Sequence, residues 1–371
     1  MQRGAFGRRV DGLRRAALFA IGRRKENRFM NELFNLRPYL DGQYEAAPRA
    51  MALSPDGDLP SAQVKLRQAF SEVLNLRLYG PRGAVAATVL ENADCGGYTR
   101  TKLALTIAPS LTVPLYILRP AASAGKLPAV LALNGHGRGV CDILGIDDVF
   151  GRPEGRDYQK QFAVELVKRG MLVAAPEIIG FGESRIYDHI NGEGYGGDCS
   201  PLAGQTLLTG GSIGGLRVYE MQRVLDYVVS LPEFDGKNLG CIGISGGGTV
   251  TTNLAAVDLR VTAAVVSGYA NFYKTSICAV SHCIDNYLPS ILRYAEMPDL
   301  LGLIAPRPLM ISSGSEDRIF PVAATRRAVE KLSALYAALG CPENLETDYF
   351  EGGHMISGPV LFDFFTKRFG L

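Results

Sequence analysis

No run of about eighteen consecutive apolar residues occurs in the 371-residue chain, so no segment has the apolar length that a membrane-spanning helix needs. Net charge is nearly absent as well: 39 Lys and Arg stand against 37 Asp and Glu, leaving +2. That balance gives no general electrostatic basis for binding nucleic acid or an anionic membrane, and points to a small neutral or locally charged substrate. Histidine is scarce, with only His136, His189, His282 and His354. The seven cysteines, Cys95, Cys141, Cys199, Cys241, Cys278, Cys283 and Cys341, are odd in number and form no compact framework. Reduced thiols in a cytoplasmic protein fit that pattern better than a disulfide scaffold. Cys278, His282 and Cys283 fall close together, but C-x3-H-C lacks the paired-cysteine spacing of zinc sites, so no metal is expected there. No internal repeat is visible.

What the chain does have is 47% hydrophobic residues, enough for a sizeable core, in a length that suits one sheet-centred domain with decorations. Its first 24 residues carry seven arginines (Arg3, Arg8, Arg9, Arg14, Arg15, Arg23 and Arg24) against one acid, Asp11. The apolar stretch from Ala16 to Ile21 is too short for a secretory signal and runs straight into Gly22-Arg23-Arg24, so a basic surface helix is expected. Residues 25–97 read as mostly helical and loop-like, punctuated by Pro38, Pro48, Pro55 and Pro60, with an amphipathic helix from Ala62 to Leu74.

From about Tyr98 strands and helices alternate. Strands are expected at Leu103 to Ile107, Val113 to Leu118, Ala129 to Leu133, Met171 to Ala175, Val261 to Val266, Leu309 to Ser312 and Glu346 to Phe350. Helices are expected at Gln159 to Arg169, Leu216 to Ser230, Val322 to Leu339 and Val360 to Phe369. Such alternation predicts an α/β fold with a mostly parallel, doubly wound sheet and ligands at the carboxyl ends of its strands. Two stretches, 185–213 and 269–302, break the rhythm and are read as lid-like insertions or pocket walls. Tyr195, Tyr269, Phe272, Tyr273 and Tyr287 are candidates to line that pocket.

Residues 239 to 256 contain a short apolar run, then Gly243-x-Ser245-x-Gly247, then a helical pattern. This is the layout of a nucleophile elbow, where a serine sits on a tight strand-to-helix turn and close backbone packing leaves no room for a Cβ beside it. In a chain with 43 glycines the bare pattern could arise by chance, so its context has to carry it. A serine hydroxyl also needs a base, and the base an acid. On this kind of sheet they follow the serine in the order acid, then histidine, each on the loop after a later strand. Asp317, between the strand ending at Ser312 and the helix at Val322, is the candidate acid, with Glu316 as the alternative. His354, in Glu351-Gly352-Gly353-His354-Met355, is the only histidine beyond it. The oxyanion needs two N–H donors: Gly246 supplies one, and Arg138, or else Gly137, the second, while His136 is read as bracing that loop.

These segments together resemble the α/β-hydrolase superfamily, and within it the acetyl xylan esterase-like and dienelactone hydrolase-like branch. The resemblance rests on LALNGHGRG at 131–139, VAAPEIIGFGES at 173–184, GCIGISGGG at 240–248, IAPRPLMISSGSEDRIFP at 304–321 and EGGHM at 351–355. It implies an α/β-hydrolase catalytic domain over 98–371, preceded by a helical extension over 1–97. It also implies hydrolysis of a small-molecule carboxylic ester, such as an acetyl or short-chain ester, through an acyl-serine on Ser245 with Asp317 and His354. No cofactor is required, and the oligomeric state, homo-oligomer included, is left open. Dienelactone hydrolases proper use cysteine where this chain has Ser245. The elbow and the Asp317 loop also resemble prolyl oligopeptidase-type serine peptidases, although no blade repeat precedes them. A non-catalytic ligand-binding member of the fold is the other alternative.

Overall fold

The computed structural model describes residues 33–121, 125–147, 158–186 and 197–371; the arginine-rich first 24 residues and Tyr195 lie outside them. Two compact units divide the chain at Pro48 and Arg49. The described part of the first is one helix, α1 (Arg37–Ala46). The second unit holds everything else.

Its centre is a nine-stranded sheet: β1 (Ala86–Asp94), β2 (Tyr98–Ala108), β3 (Leu111–Pro120), β4 (Leu127–Leu133), β5 (Leu172–Pro176), β6 (Phe234–Ile244), β7 (Ala263–Ser267), β8 (Leu309–Gly314) and β9 (Leu345–Phe350). The order across the sheet is β1-β2-β3-β5-β4-β6-β7-β8-β9. The first three strands form an antiparallel meander, and β3 joins β5 antiparallel. All pairings from β5 to β9 are parallel. β5, β7 and β8 are buried along their whole length, as parallel strands covered on both faces must be.

The helices are α2 (Leu59–Val73), α3 (Cys141–Leu144), α4 (Phe162–Lys168), α5 (Cys199–Leu208), α6 (Ile213–Val228), α7 (Gly246–Val257), α8 (Met297–Gly302), α9 (Val322–Ala338) and α10 (Pro359–Phe369). Phe162 and Leu166 of α4 and Phe362 and Phe365 of α10 pack on Val130, Val173, Ile242 and Val265 of the sheet. α7 is buried from Gly246 to Ala256, which places it in the interior. α6 carries the expected apolar stripe of Met221, Val224, Leu225 and Val228, yet Arg217, Glu220 and Arg223 are buried beside it. Its start is fixed by Ser212, whose hydroxyl accepts from the Gly215 N–H at 3.0 Å.

The division expected at 97/98 falls inside a hairpin, because β1 is hydrogen-bonded to β2 from Ala86 to Asp94. β1 is exposed at every position but one, so no face is buried and the apolar alternation that marks a strand is missing. The 185–213 stretch contains α5, and the 269–302 stretch contains two short 3₁₀ turns, Ile284–Asn286 and Ile291–Arg293, followed by α8.

Candidate active site

β6 lies inside the sheet, flanked by β4 and β7, and it runs directly into Ser245. Ser245 has φ 57° and ψ −121°, a conformation that costs a non-glycine residue about 1–3 kcal/mol. Its N–H donates to the Ser267 carbonyl at 3.1 Å, and its own carbonyl accepts from the Thr249 N–H at 2.9 Å. The neighbouring glycines are required sterically. A Cβ at Gly243 would stand 2.2 Å from the Gly247 carbonyl oxygen, and one at Gly247 would stand 2.1 Å from that of Leu133. The strand, the turn and the helix can approach this closely only without side chains.

Asp317 and His354 come from the loops after β8 and β9. His354 Nδ1 lies 2.7 Å from Asp317 Oδ2, while Asp317 Oδ1 accepts from the N–H groups of Ile319 at 2.8 Å and Phe320 at 2.9 Å. The carboxylate is thus fixed by backbone and presents its other oxygen to the imidazole. Tyr158 and Phe320 both stack against the His354 ring, with centroids at 6.0 and 5.7 Å. Gly268, at φ +53°, lies against the pair: a Cβ there would meet His354 Cε1 at 2.9 Å and Nδ1 at 3.0 Å. His354 Nε2 is buried and makes no hydrogen bond among the described residues.

Ser245 and His354 line one cavity of about 400 Å³, together with His136, Tyr158, residues 280–283, Asn286, Ile319 and Phe320. The insertion at 269–302 therefore supplies a wall, as expected, but not through the aromatics singled out in the sequence. Tyr269 and Tyr273 are core residues, 3% and 4% exposed, and the aromatic lining comes from Tyr158 and Phe320 instead. Burial raises the Tyr158 hydroxyl far above its ordinary value, so it is a neutral donor, and it donates to the His136 carbonyl at 2.5 Å.

The loop after β4 corrects one expectation. The Arg138 N–H, the favoured second oxyanion donor, is already given to Asp142 Oδ2 at 2.9 Å, and the Arg138 guanidinium binds the same carboxylate at 2.7 Å. The Gly135 N–H is given to Gln159 Oε1 at 2.8 Å. Sequence order could not reveal this, because Asp142 and Gln159 satisfy the loop from outside the motif.

His136 does more than brace a loop. Its Nε2 lies 3.4 Å from Asp285 Oδ2 and 3.9 Å from Cys199 Sγ. Asp285 is bound by the fully buried Arg217, whose Nη1 is 2.5 Å from Oδ2 and whose Nη2 is 3.2 Å from Cys199 Sγ. Burial by itself would raise the Asp285 carboxyl, but Arg217 and then His136 hold it below its ordinary value. For the His136 imidazole, burial pushes down, while Cys199 and Asp285 outweigh it and push up. The Cys199 thiol is lowered to about 5, first by Cys283 and, against the effect of burial, also by His136 and Arg217. Of the Cys278, His282 and Cys283 group only Cys283 belongs to this cluster; the other members are spread over 150 residues of chain, with no motif spacing to betray them. His282 faces Phe320, ring centroids 5.2 Å apart, with its Nε2 3.2 Å from Ser276 Oγ.

Among solved structures, this fold is similar to one described as a "putative acetyl xylan esterase" from Bacteroides fragilis NCTC 9343, with a TM-score of 0.73 at 19% identity over 85% of this chain and 82% of that one. It is also similar to a glucuronoyl esterase from Solibacter usitatus, with a TM-score of 0.57 at 15% identity over 87% of this chain and 95% of that one. These likenesses establish an α/β-hydrolase fold. Among curated proteins, "Putative hydrolase YtaP" of Bacillus subtilis (strain 168) is 29% identical over 250 residues, 65% of this chain and 77% of that protein. No helix among the described residues is long and apolar enough to cross a membrane. Residues 24–352 match the Abhydrolase family, and the chain belongs to it.

Proposed function

We propose that the protein is a serine esterase that cleaves a short-chain carboxylic ester through an acyl-Ser245 intermediate. The observation that carries this reading is the His354–Asp317 pair at 2.7 Å, on the same 400 Å³ cavity as a serine held in an elbow turn. Ser245 Oγ attacks the ester carbonyl while His354 Nε2 accepts the hydroxyl proton. Asp317, held in place by two backbone N–H groups, stabilises the imidazolium that results. The proton then passes to the leaving alcohol, and water repeats the cycle on the acyl-enzyme.

The developing oxyanion is held by the Gly246 N–H, at the start of α7 where the helix dipole adds to it. With Gly135 and Arg138 committed elsewhere, the second donor comes from the His136–Gly137 amides, and His136 is the one whose residue lines the cavity. A cavity this small suits a compact acyl group, and the esterase names of the structural neighbours point to acetylated or uronate-esterified carbohydrate as the first substrates to try.

The test is hydrolysis of p-nitrophenyl acetate together with labelling by a fluorophosphonate and mapping of the adduct by mass spectrometry. Label on Ser245, and loss of both signals in Ser245→Ala, are expected. Equal hydrolysis by wild type and Ser245→Ala would overturn the mechanism.

A further inference from the structure

A second constellation sits behind His136, and the ester chemistry does not use it. His136 Nε2 comes from the loop after β4, Cys199 Sγ from the first turn of α5, and Cys283 Sγ and Asp285 Oδ2 from the 284–286 turn and its approach. The four atoms lie within 4.8 Å of one another. The separations are 3.4 Å from His136 Nε2 to Asp285 Oδ2, 3.9 Å from His136 Nε2 to Cys199 Sγ and 3.8 Å from Cys199 Sγ to Asp285 Oδ2. A tetrahedral zinc ion, with bonds of about 2.0–2.3 Å, spaces its ligand atoms roughly 3.3–3.8 Å apart. We propose that His136, Cys199, Cys283 and Asp285 form a closed tetrahedral site for one zinc-class divalent ion.

The donor set is selective. Two thiolates and an imidazole favour zinc over magnesium or calcium, which prefer all-oxygen shells. Charge supports the same assignment. Two thiolates and a carboxylate carry three negative charges, and a divalent ion plus the Arg217 guanidinium carry three positive ones, so the buried cluster is neutral when loaded. Arg217 donates to two of the ligands, Asp285 and Cys199, and is itself anchored through Nε, which donates to the Ile179 carbonyl at 2.9 Å. That is the position of a group that orients metal ligands.

Four protein ligands leave no coordination position for water or substrate, so the ion is structural. It ties three separate segments around the cavity, one of them the oxyanion loop. His136 also touches the elbow: a Cβ on Gly246 would meet its Cε1 and Nδ1 at 3.0 Å. The site therefore sets the wall against which Ser245 works.

Elemental analysis of the 371-residue chain, expressed with added zinc and exchanged into metal-free buffer, is expected to find one zinc per chain. Cys199→Ser and Cys283→Ser should lose it, while Cys278→Ser, at an exposed thiol, should keep it. After the metal is removed with a chelator, cobalt(II) added to the wild-type protein should give the strong near-ultraviolet thiolate-to-cobalt charge-transfer band. This reading needs no mutant to fold. The proposal is overturned by wild-type protein that neither retains zinc nor gives the band, by zinc content unchanged in both serine variants, or by a Cys199–Cys283 disulfide in the purified chain. Fluorophosphonate labelling of Ser245 in the same samples keeps the fate of this site separate from that of the esterase reading.

Discussion

Two histidine–carboxylate pairs border one cavity, and they are built differently. Asp317 is held by two backbone N–H groups and approaches His354 Nδ1 at 2.7 Å. Asp285 is held by the Arg217 guanidinium at 2.5 Å and approaches His136 Nε2 at 3.4 Å. A carboxylate anchored by neutral dipoles keeps its full charge for the imidazole, which is what a general base needs as it becomes cationic. One anchored by a buried cation has spent that charge. The side of the ring that is engaged differs too: His354 leaves Nε2 without a hydrogen bond among the described residues, which the proposed mechanism requires of the base, whereas His136 turns Nε2 toward Cys199 and Asp285. Residue type and pairing alone do not distinguish the two pairs; the partner of the carboxylate does.

The largest expected effect lies on the first pair. His354→Ala and Ser245→Ala should each lower kcat on the order of 10⁴-fold or more, measured with p-nitrophenyl acetate. Asp317→Asn should lower kcat about 10⁴-fold with little change in KM, because the wrong imidazole tautomer is then favoured. Asp285→Asn should act elsewhere. It strips the charge that faces a fully buried arginine and should reduce stability by about 3–5 kcal/mol, read as a fall in the urea midpoint. Equal kcat losses for the two asparagine variants would erase the distinction between the pairs.

The two flanking glycines sharpen it further. Gly268→Ala puts a methyl 2.9 Å from His354 Cε1 at a φ of +53°, and a displacement of the base approaching 1 Å corresponds to about 10²-fold in kcat. Gly246→Ala meets His136 at 3.0 Å without positive φ, so a smaller loss is expected in parallel kinetics.

A further effect concerns pH and leaves the chemistry untouched. Burial raises Glu220, three residues beyond Arg217 on α6, to about 8 from an ordinary 4.5. Being protonated at neutral pH, it leaves Arg217 to Asp285. Because its folded value lies above its unfolded one, the unfolded chain gives up this proton first, and stability falls as pH rises from about 4.5 to about 8. Glu220→Gln should flatten that part of the profile, measured by chemical denaturation at a series of pH values.

Much of the sheet was legible because its parallel strands are continuous apolar runs between amphipathic helices; β8 was expected from Leu309 and begins there. The order of Ser245, Asp317 and His354 was legible for the same reason, since each sits where a strand ends. β1 was not, because an exposed edge strand buries nothing and leaves no periodic trace. The Arg138 assignment failed because a backbone N–H has no residue identity: its availability depends on Asp142, a carboxylate outside the glycine-rich motif. His136, Cys199, Cys283 and Asp285 were invisible as a group because only the fold brings them together.

The elbow turn has a bearing on folding experiments. Ser245 adopts its positive φ where Gly243, Gly247 and the Leu133 carbonyl of β4 crowd together, and nothing local to the serine would hold it there in an unpaired chain. On the proposed mechanism, reactivity toward a phosphonate is then a property of the assembled sheet and not of the residue. On that reading, the rate at which label appears on Ser245 in a refolding sample reports the assembly of the sheet around the turn, at a single side chain and without a spectroscopic probe.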